Sequence, residues 1–221
     1  MDSEQRFLLA RPEPSSPEPQ LSAERLLYLG VLLGVFLIGL GVLWVGLLRG
    51  ENIVDVWFKT EDVPVVQDIG LGIVIGTAFS TILWFIGQHY SGFTDIRERL
   101  VKTLDLANFR LWHIVLLSLV AAVPEEIFFR GTVQPVLGLL LTSVIFGVLH
   151  ALTPVYFIYA MTAGLGLGLM ADWHESLWLP IAAHFAVDVV SLYIMARWAA
   201  QNQTVQTSVT MEDVRESEPF S

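Results

Sequence analysis

The sequence predicts an all-α fold, a polytopic transmembrane helical bundle of about six spans. Two bulk observations carry this. Of 221 residues, 54% are hydrophobic and only 15% charged, with a mean hydropathy of +0.60, so there is too little charge to coat a water-soluble domain. The apolar residues also gather into runs long enough to cross a bilayer, separated by short polar connectors. A third observation points past the fold: Pro124-Glu125-Glu126-Ile127-Phe128-Phe129-Arg130 sets two carboxylates and a guanidinium inside one such run. The net charge of −10 argues against nucleic acid as a partner, which would call for a basic face. The absence of cysteine excludes disulfides, thiolate catalysis and Cys-based metal sites.

Taken in order, residues 1–24 are polar and carry Pro12, Pro14, Pro17 and Pro19, a composition expected to form a disordered tail rather than a cleaved signal. Residues 25–110 hold two spans and a basic connector. Leu26–Leu48 is a continuous apolar run, with glycines suited to close helix contacts. In the following connector, Trp57 and Phe58 read as an interfacial aromatic anchor. Ile69–Gln88 is the second span, with Gly70, Gly72 and Gly76 as a small-residue face. Ser91–Arg110 is basic and partly amphipathic, fit to lie on the membrane surface.

Residues 111–200 contain four helices. Leu111 to about Leu137 is the third span and Gly138 the turn after it. Leu139–Ala151 is a short fourth span, and Pro154 opens a fifth helix that reaches about Ala171. Asp172–Ser176 is a polar turn, and Leu177–Trp198 is the sixth span. Residues 201–221 read as a disordered acidic tail. Lys and Arg near the span ends favour both termini in the cytoplasm: the outer segments hold only Arg49 and Lys59.

Charge at membrane depth costs roughly 2.5–3.5 kcal/mol per group on insertion scales, so the stretch at 124–130 points to function before packing. Glu126 and Arg130 stand at i, i+4 with the acid first, the favourable order for a helical ion pair, which leaves Glu125 free. His150 ends the fourth span, four residues after Phe146, and His184 and Asp188 form another i, i+4 pair in the sixth. At about 1.5 Å per residue, Glu125 and His150 each lie roughly 18–20 Å from the turn at Gly138, and His184 lies roughly 12 Å into its own helix. The three reach a similar depth and meet only if these helices are neighbours.

A free carboxylate with two imidazoles in a dry pocket is hydrolytic equipment. Glu125 can take a proton from water, His150 can orient that water, and His184 with Asp188 can stabilise an oxyanion. Glu125, His150 and His184 also form a two-His, one-carboxylate set of the kind that binds zinc, although no HExxH motif is present. The plainer readings are an ion pair tying helices together and histidines bonding neighbouring helices. His89 and His113 sit near span ends and read as interfacial, and His174 and Glu175 as turn residues.

Glu-Glu-x-x-x-Arg at 125–130, with Phe129-Arg130-Gly131, then Phe-x-x-x-His at 146–150 and His-x-x-x-Asp at 184–188, resemble in this order the CPBP family. This is the group of CAAX-type prenyl endopeptidases and bacteriocin-processing or immunity proteins, also called Abi. The resemblance covers roughly residues 110–195. It implies a membrane endopeptidase in which Glu125 activates the hydrolytic water, His150 assists, and His184 with position 188 stabilises the oxyanion. Glu126, Arg130 and Phe146 take supporting roles. The chain departs from the prenyl-endopeptidase pattern at Asp188, where asparagine is usual; an ionised carboxylate cannot donate a hydrogen bond, so the expected role of Asp188 is instead to hold the His184 tautomer. No cofactor is implied, with zinc as the alternative. The expected partners are a peptide or membrane-protein substrate and the lipid bilayer. The rival readings are a non-catalytic immunity or scaffold protein on the same fold, and a proton-coupled transporter, against which the lack of an inverted repeat counts.

Overall fold

The computed structural model describes residues 20–58 and 64–217, so most of the expected N-terminal tail lies outside the described residues. Helix α1 spans Ala23–Val42 and runs on through a π-helical turn, Leu43–Leu48. A short α2, Ile53–Trp57, precedes α3, Val65–Gly87, and the connecting α4, Ser91–Thr103. Then come α5 (Leu111–Phe128), a π-helical turn (Phe129–Val133), α6 (Gln134–Leu137), α7 (Leu139–Leu149), α8 (Pro154–His174) and α9 (Trp178–Ser217). Among the described residues the β pairing recorded is an isolated bridge between Leu21 and Leu104, which ties the start of α1 to the end of α4.

The all-α membrane bundle therefore stands as the sequence predicts. Among the described residues five helices are long and apolar enough to cross a bilayer: Ala23–Leu48, Val65–Gly87, Leu111–Leu137, Pro154–His174 and Trp178–Asn202. The expected fourth span is different. Helix α7 has 11 residues. That is about 16 Å of helix against a hydrocarbon core of about 30 Å. Gly138, at φ +77°, turns the chain into α7, and Thr153 caps α8 by accepting from the Tyr156 N–H at 3.1 Å. The two helices form a tight hairpin, with Gly147 pressed against Met161, and His150 is left at the end of a half-length helix inside the bundle.

Helix α9 is the central element, packed along α3 on one side and α5 on the other, with α1 flanking α5. The α3–α9 contact is close because Gly72 and Gly76 face the α9 backbone; a Cβ on Gly76 would collide with the Ala183 carbonyl. This is the small-residue packing expected of helices in lipid. Gly70 is exposed and takes no part, because it points away from that seam.

Two sequence expectations are corrected by burial. Trp57 is not an interfacial anchor: it is 5% exposed, in a core cluster with Val45, Ile127, Leu177 and Ile181, and its indole fills the space left by Gly41 and Gly131. His113 is buried rather than interfacial, and its Nδ1 accepts from the Arg110 N–H at 3.0 Å at the start of α5. Helix α9 also continues past the expected span end to Ser217, over residues that composition reads as a tail. No glycine or proline lies between Pro180 and Pro219, so nothing in the chain stops a helix already nucleated in the bundle.

Candidate active site

Glu125 sits near the middle of the span formed by α5 and α6, about 21 Å from Leu111 along the helix. Pro124 immediately before it removes a backbone donor and loosens the ladder, and the π-helical turn at Phe129–Val133 follows. Successive residues on a helix point in different directions. Glu125 consequently lines a cavity of about 400 Å³, while Glu126 turns inward and is fully buried.

That cavity brings the expected groups together. Glu125 from α5, Phe146 from α7, His150 at the α7 end, and His184 and Asp188 from α9 all line it. Glu125 Oε2 lies 3.5 Å from His150 Nε2, and it is a buried oxygen with no hydrogen-bond partner among the described residues. His150 Nδ1 donates to the Phe146 carbonyl at 2.8 Å, and its ring stacks on Phe146 at 4.2 Å between centroids. That bond fixes which nitrogen carries a hydrogen and turns Nε2 toward Glu125.

Beneath the cavity, Glu126 Oε1 accepts from Arg130 Nη1 at 2.9 Å, the ion pair expected from the spacing. The same oxygen accepts from His184 Nδ1 at 2.7 Å, a bond between α5 and α9 that the sequence did not indicate. Asp188 Oδ2 stands 3.6 Å from His184 Nε2, beyond a good hydrogen bond. Of the two carboxylates beside His184, Glu126 makes the hydrogen bond and Asp188 the longer ion-pair contact. Arg130 also donates to the Gly164 carbonyl on α8 at 3.1 Å and lies over the Phe146 ring at 4.7 Å, so one guanidinium joins α5, α7 and α8.

Among the described residues no group of three His, Asp or Glu side chains is arranged to hold a metal ion. His184 has its Nδ1 bonded to Glu126. Tyr156 and Tyr159 of α8 also line the cavity beside Asp188. Sequence reasoning missed both, because nothing in an i, i+3 tyrosine pair separates a cavity wall from ordinary packing. His174 and Glu175 lie away from this cavity. His174 Nδ1 instead bonds the buried Asp68 at 2.8 Å, joining α8 to α3.

The family model described as type II CAAX prenyl endopeptidase Rce1-like matches residues 107–190, a segment holding every site residue named above. An uncharacterized protein, YpbD, of Bacillus subtilis (strain 168) is 31% identical over 153 residues, covering 66% of this chain and 77% of that protein. No solved structure matches the chain significantly.

Proposed function

The chain belongs to the CPBP family of CAAX-protease-like membrane proteins, and on that premise we propose that it hydrolyses peptide bonds inside the bilayer with a water activated by Glu125. The observation that carries this reading is the convergence of Glu125, His150 and His184, from three helices, on one cavity. Glu125 Oε2 and His150 Nε2 are both acceptors facing each other at 3.5 Å. A water beside the pair, on the cavity side, can donate to the Glu125 carboxylate while the His150 ring fixes its position.

In the proposed step the water oxygen bonds the scissile carbonyl carbon while Glu125 takes the water proton. The carbonyl oxygen becomes an oxyanion. His184, acting as the imidazolium, keeps Nδ1–H on Glu126 and aims Nε2–H at that oxyanion. Collapse of the intermediate breaks the C–N bond, and the leaving amine takes its proton from the Glu125 carboxyl. Arg130 holds Glu126 in place throughout and makes no contact with the reacting atoms.

No step is routed through a metal. The Lys and Arg distribution supports an orientation with both termini in the cytoplasm. The test is hydrolysis by purified full-length protein of a randomised fluorogenic peptide mixture, read by mass spectrometry. Wild type generates cleavage products and Glu125→Gln does not. Equal product yields from the two overturn the reading.

A further inference from the structure

Helix α4 is amphipathic, and its inward stripe is Phe93, Ile96, Arg97 and Leu100, an i, i+3, i+4, i+7 set. Arginine is out of place there. The other charged residues of the helix, Asp95, Glu98, Arg99 and Lys102, are exposed. Arg97 instead stands between two tryptophans, its Cζ 5.7 Å from the Trp84 ring centre and 4.6 Å from that of Trp198. Its Nε is buried and has no hydrogen-bond partner among the described residues, and no carboxylate pairs with it there.

The space that Arg97 lines, about 230 Å³, shares Leu104, Tyr156, Tyr159, Asp188 and Leu192 with the cavity holding Glu125. The two spaces adjoin along α9, with the proposed hydrolytic centre in one and Arg97 in the other. The α9 positions lining them run from Ala183 to Met195. From His184 to Met195 is about 16 Å of helix rise, which an extended peptide covers in about four to five residues. The walls also carry Ser80, Gln88, Ser191, the Tyr156 and Tyr159 hydroxyls and the Asp188 carboxylate, and Arg97 is the one guanidinium or ammonium among the lining residues, so it is the group that offers an anion a full counter-charge. The contact with the two tryptophan rings uses the face of the cation and none of its N–H donors, which stay able to bind a carboxylate.

We infer that Arg97 is a specificity-determining residue that binds a carboxylate of the peptide substrate, about four to five residues from the scissile bond. The inference rests on the peptidase reading of the Glu125 centre and names what that centre selects. The carboxylate has two sources, the peptide's own C-terminus or an acidic side chain.

The test is binding of three acetylated apolar tetrapeptides to the full-length protein in detergent, followed by tryptophan fluorescence: one with a free C-terminus, one amidated, and one amidated with aspartate at its last position. The free-acid peptide, the aspartate peptide or both bind at least ~10-fold tighter than the neutral amide, as one charge-assisted hydrogen bond supplies. Which of them does identifies the source. Arg97→Gln abolishes the preference, and Glu125→Gln keeps it. Equal binding of all three peptides to wild type overturns the inference without recourse to any variant. So does a preference that survives Arg97→Gln, and so does Arg97-dependent binding of short-chain phosphatidylglycerol with no peptide preference, which makes this a lipid headgroup site. Absence of hydrolysis by wild type with the carboxylate preference intact counts against the proposed reaction and leaves the subsite standing.

Discussion

The Glu126–Arg130–His184 network makes a strong energetic prediction. Glu126 is 0% exposed and Arg130 is 4% exposed, so replacing Glu126 with glutamine leaves a buried guanidinium without its counter-charge. Breaking a buried pair from one side costs about 3–5 kcal/mol, because the remaining charge stays desolvated. Arg130→Met is gentler: Glu126 keeps the 2.7 Å bond from His184, and a thioether occupies the space against Phe146. The double variant Glu126→Gln/Arg130→Met removes both charges together and is expected to be more stable than Glu126→Gln alone. At about 2–4 °C per kcal/mol for a chain of this length, Glu126→Gln lowers the apparent unfolding midpoint by about 6–20 °C. The assay is thermal unfolding of the four proteins in one detergent, completing a double-mutant cycle. If the midpoint of Glu126→Gln stays within about 2 °C of wild type, or the two shifts simply add, the buried charge is compensated elsewhere and the reasoning fails.

Other expected outcomes follow from the same geometry. Asp188→Asn retains substantial hydrolytic activity, because Glu126 and not Asp188 holds His184 Nδ1; loss of turnover in that variant means that the negative charge itself is required. His150→Ala lowers kcat by about 10²–10⁴, the usual worth of a positioned proton-transfer group, with little change in KM, checked by steady-state kinetics on a cleaved peptide. Gly76→Val destabilises by about 1–3 kcal/mol through overpacking against the α9 backbone, whereas Gly70→Ala, exposed with nothing near its Cβ, leaves the thermal midpoint unchanged. Turnover survives prolonged treatment with a zinc chelator, and inactivation that added zinc reverses would restore the alternative of a metal site.

Much of the fold is legible because the solvent is lipid. A long apolar run in lipid reads as a helix, since its backbone has no other partner in hydrocarbon, and this sets the bounds of five spans to within about four residues. What stayed hidden is what depends on neighbours. Whether α7 crosses fully could not be read from an apolar run that continues through Ala151 and Leu152, because the stop is set by the hairpin with α8. Trp57 reads as an anchor until Gly41 and Gly131 are seen to make room for it. In the site, the i, i+4 spacing carried the Glu126–Arg130 pair, since both groups sit on one helix. The Glu126–His184 bond joins positions 58 residues apart on two helices, and only their packing reveals it. Arg97 was visible as a basic residue of a surface helix; its inward register follows from α4 packing its apolar stripe onto the groove.

On the proposed mechanism the paired glutamates do separate work. Adjacent residues on a helix differ in direction by about 100°, and here one of the two carboxylates faces the cavity while the other faces a packed helix. A single glutamate could activate water, but it could not also fix the histidine opposite. With two in sequence, the backbone of α5 sets Glu125 against His150 on the cavity side and Glu126 against His184 and Arg130 on the packed side. In that mechanism the activated water and the oxyanion partner are both positioned from one short segment of α5. This explains why the charges at 124–130 come as a cluster. Arg130 offsets the carboxylate that cannot be left bare, and that carboxylate positions the imidazole that the working one needs across from it.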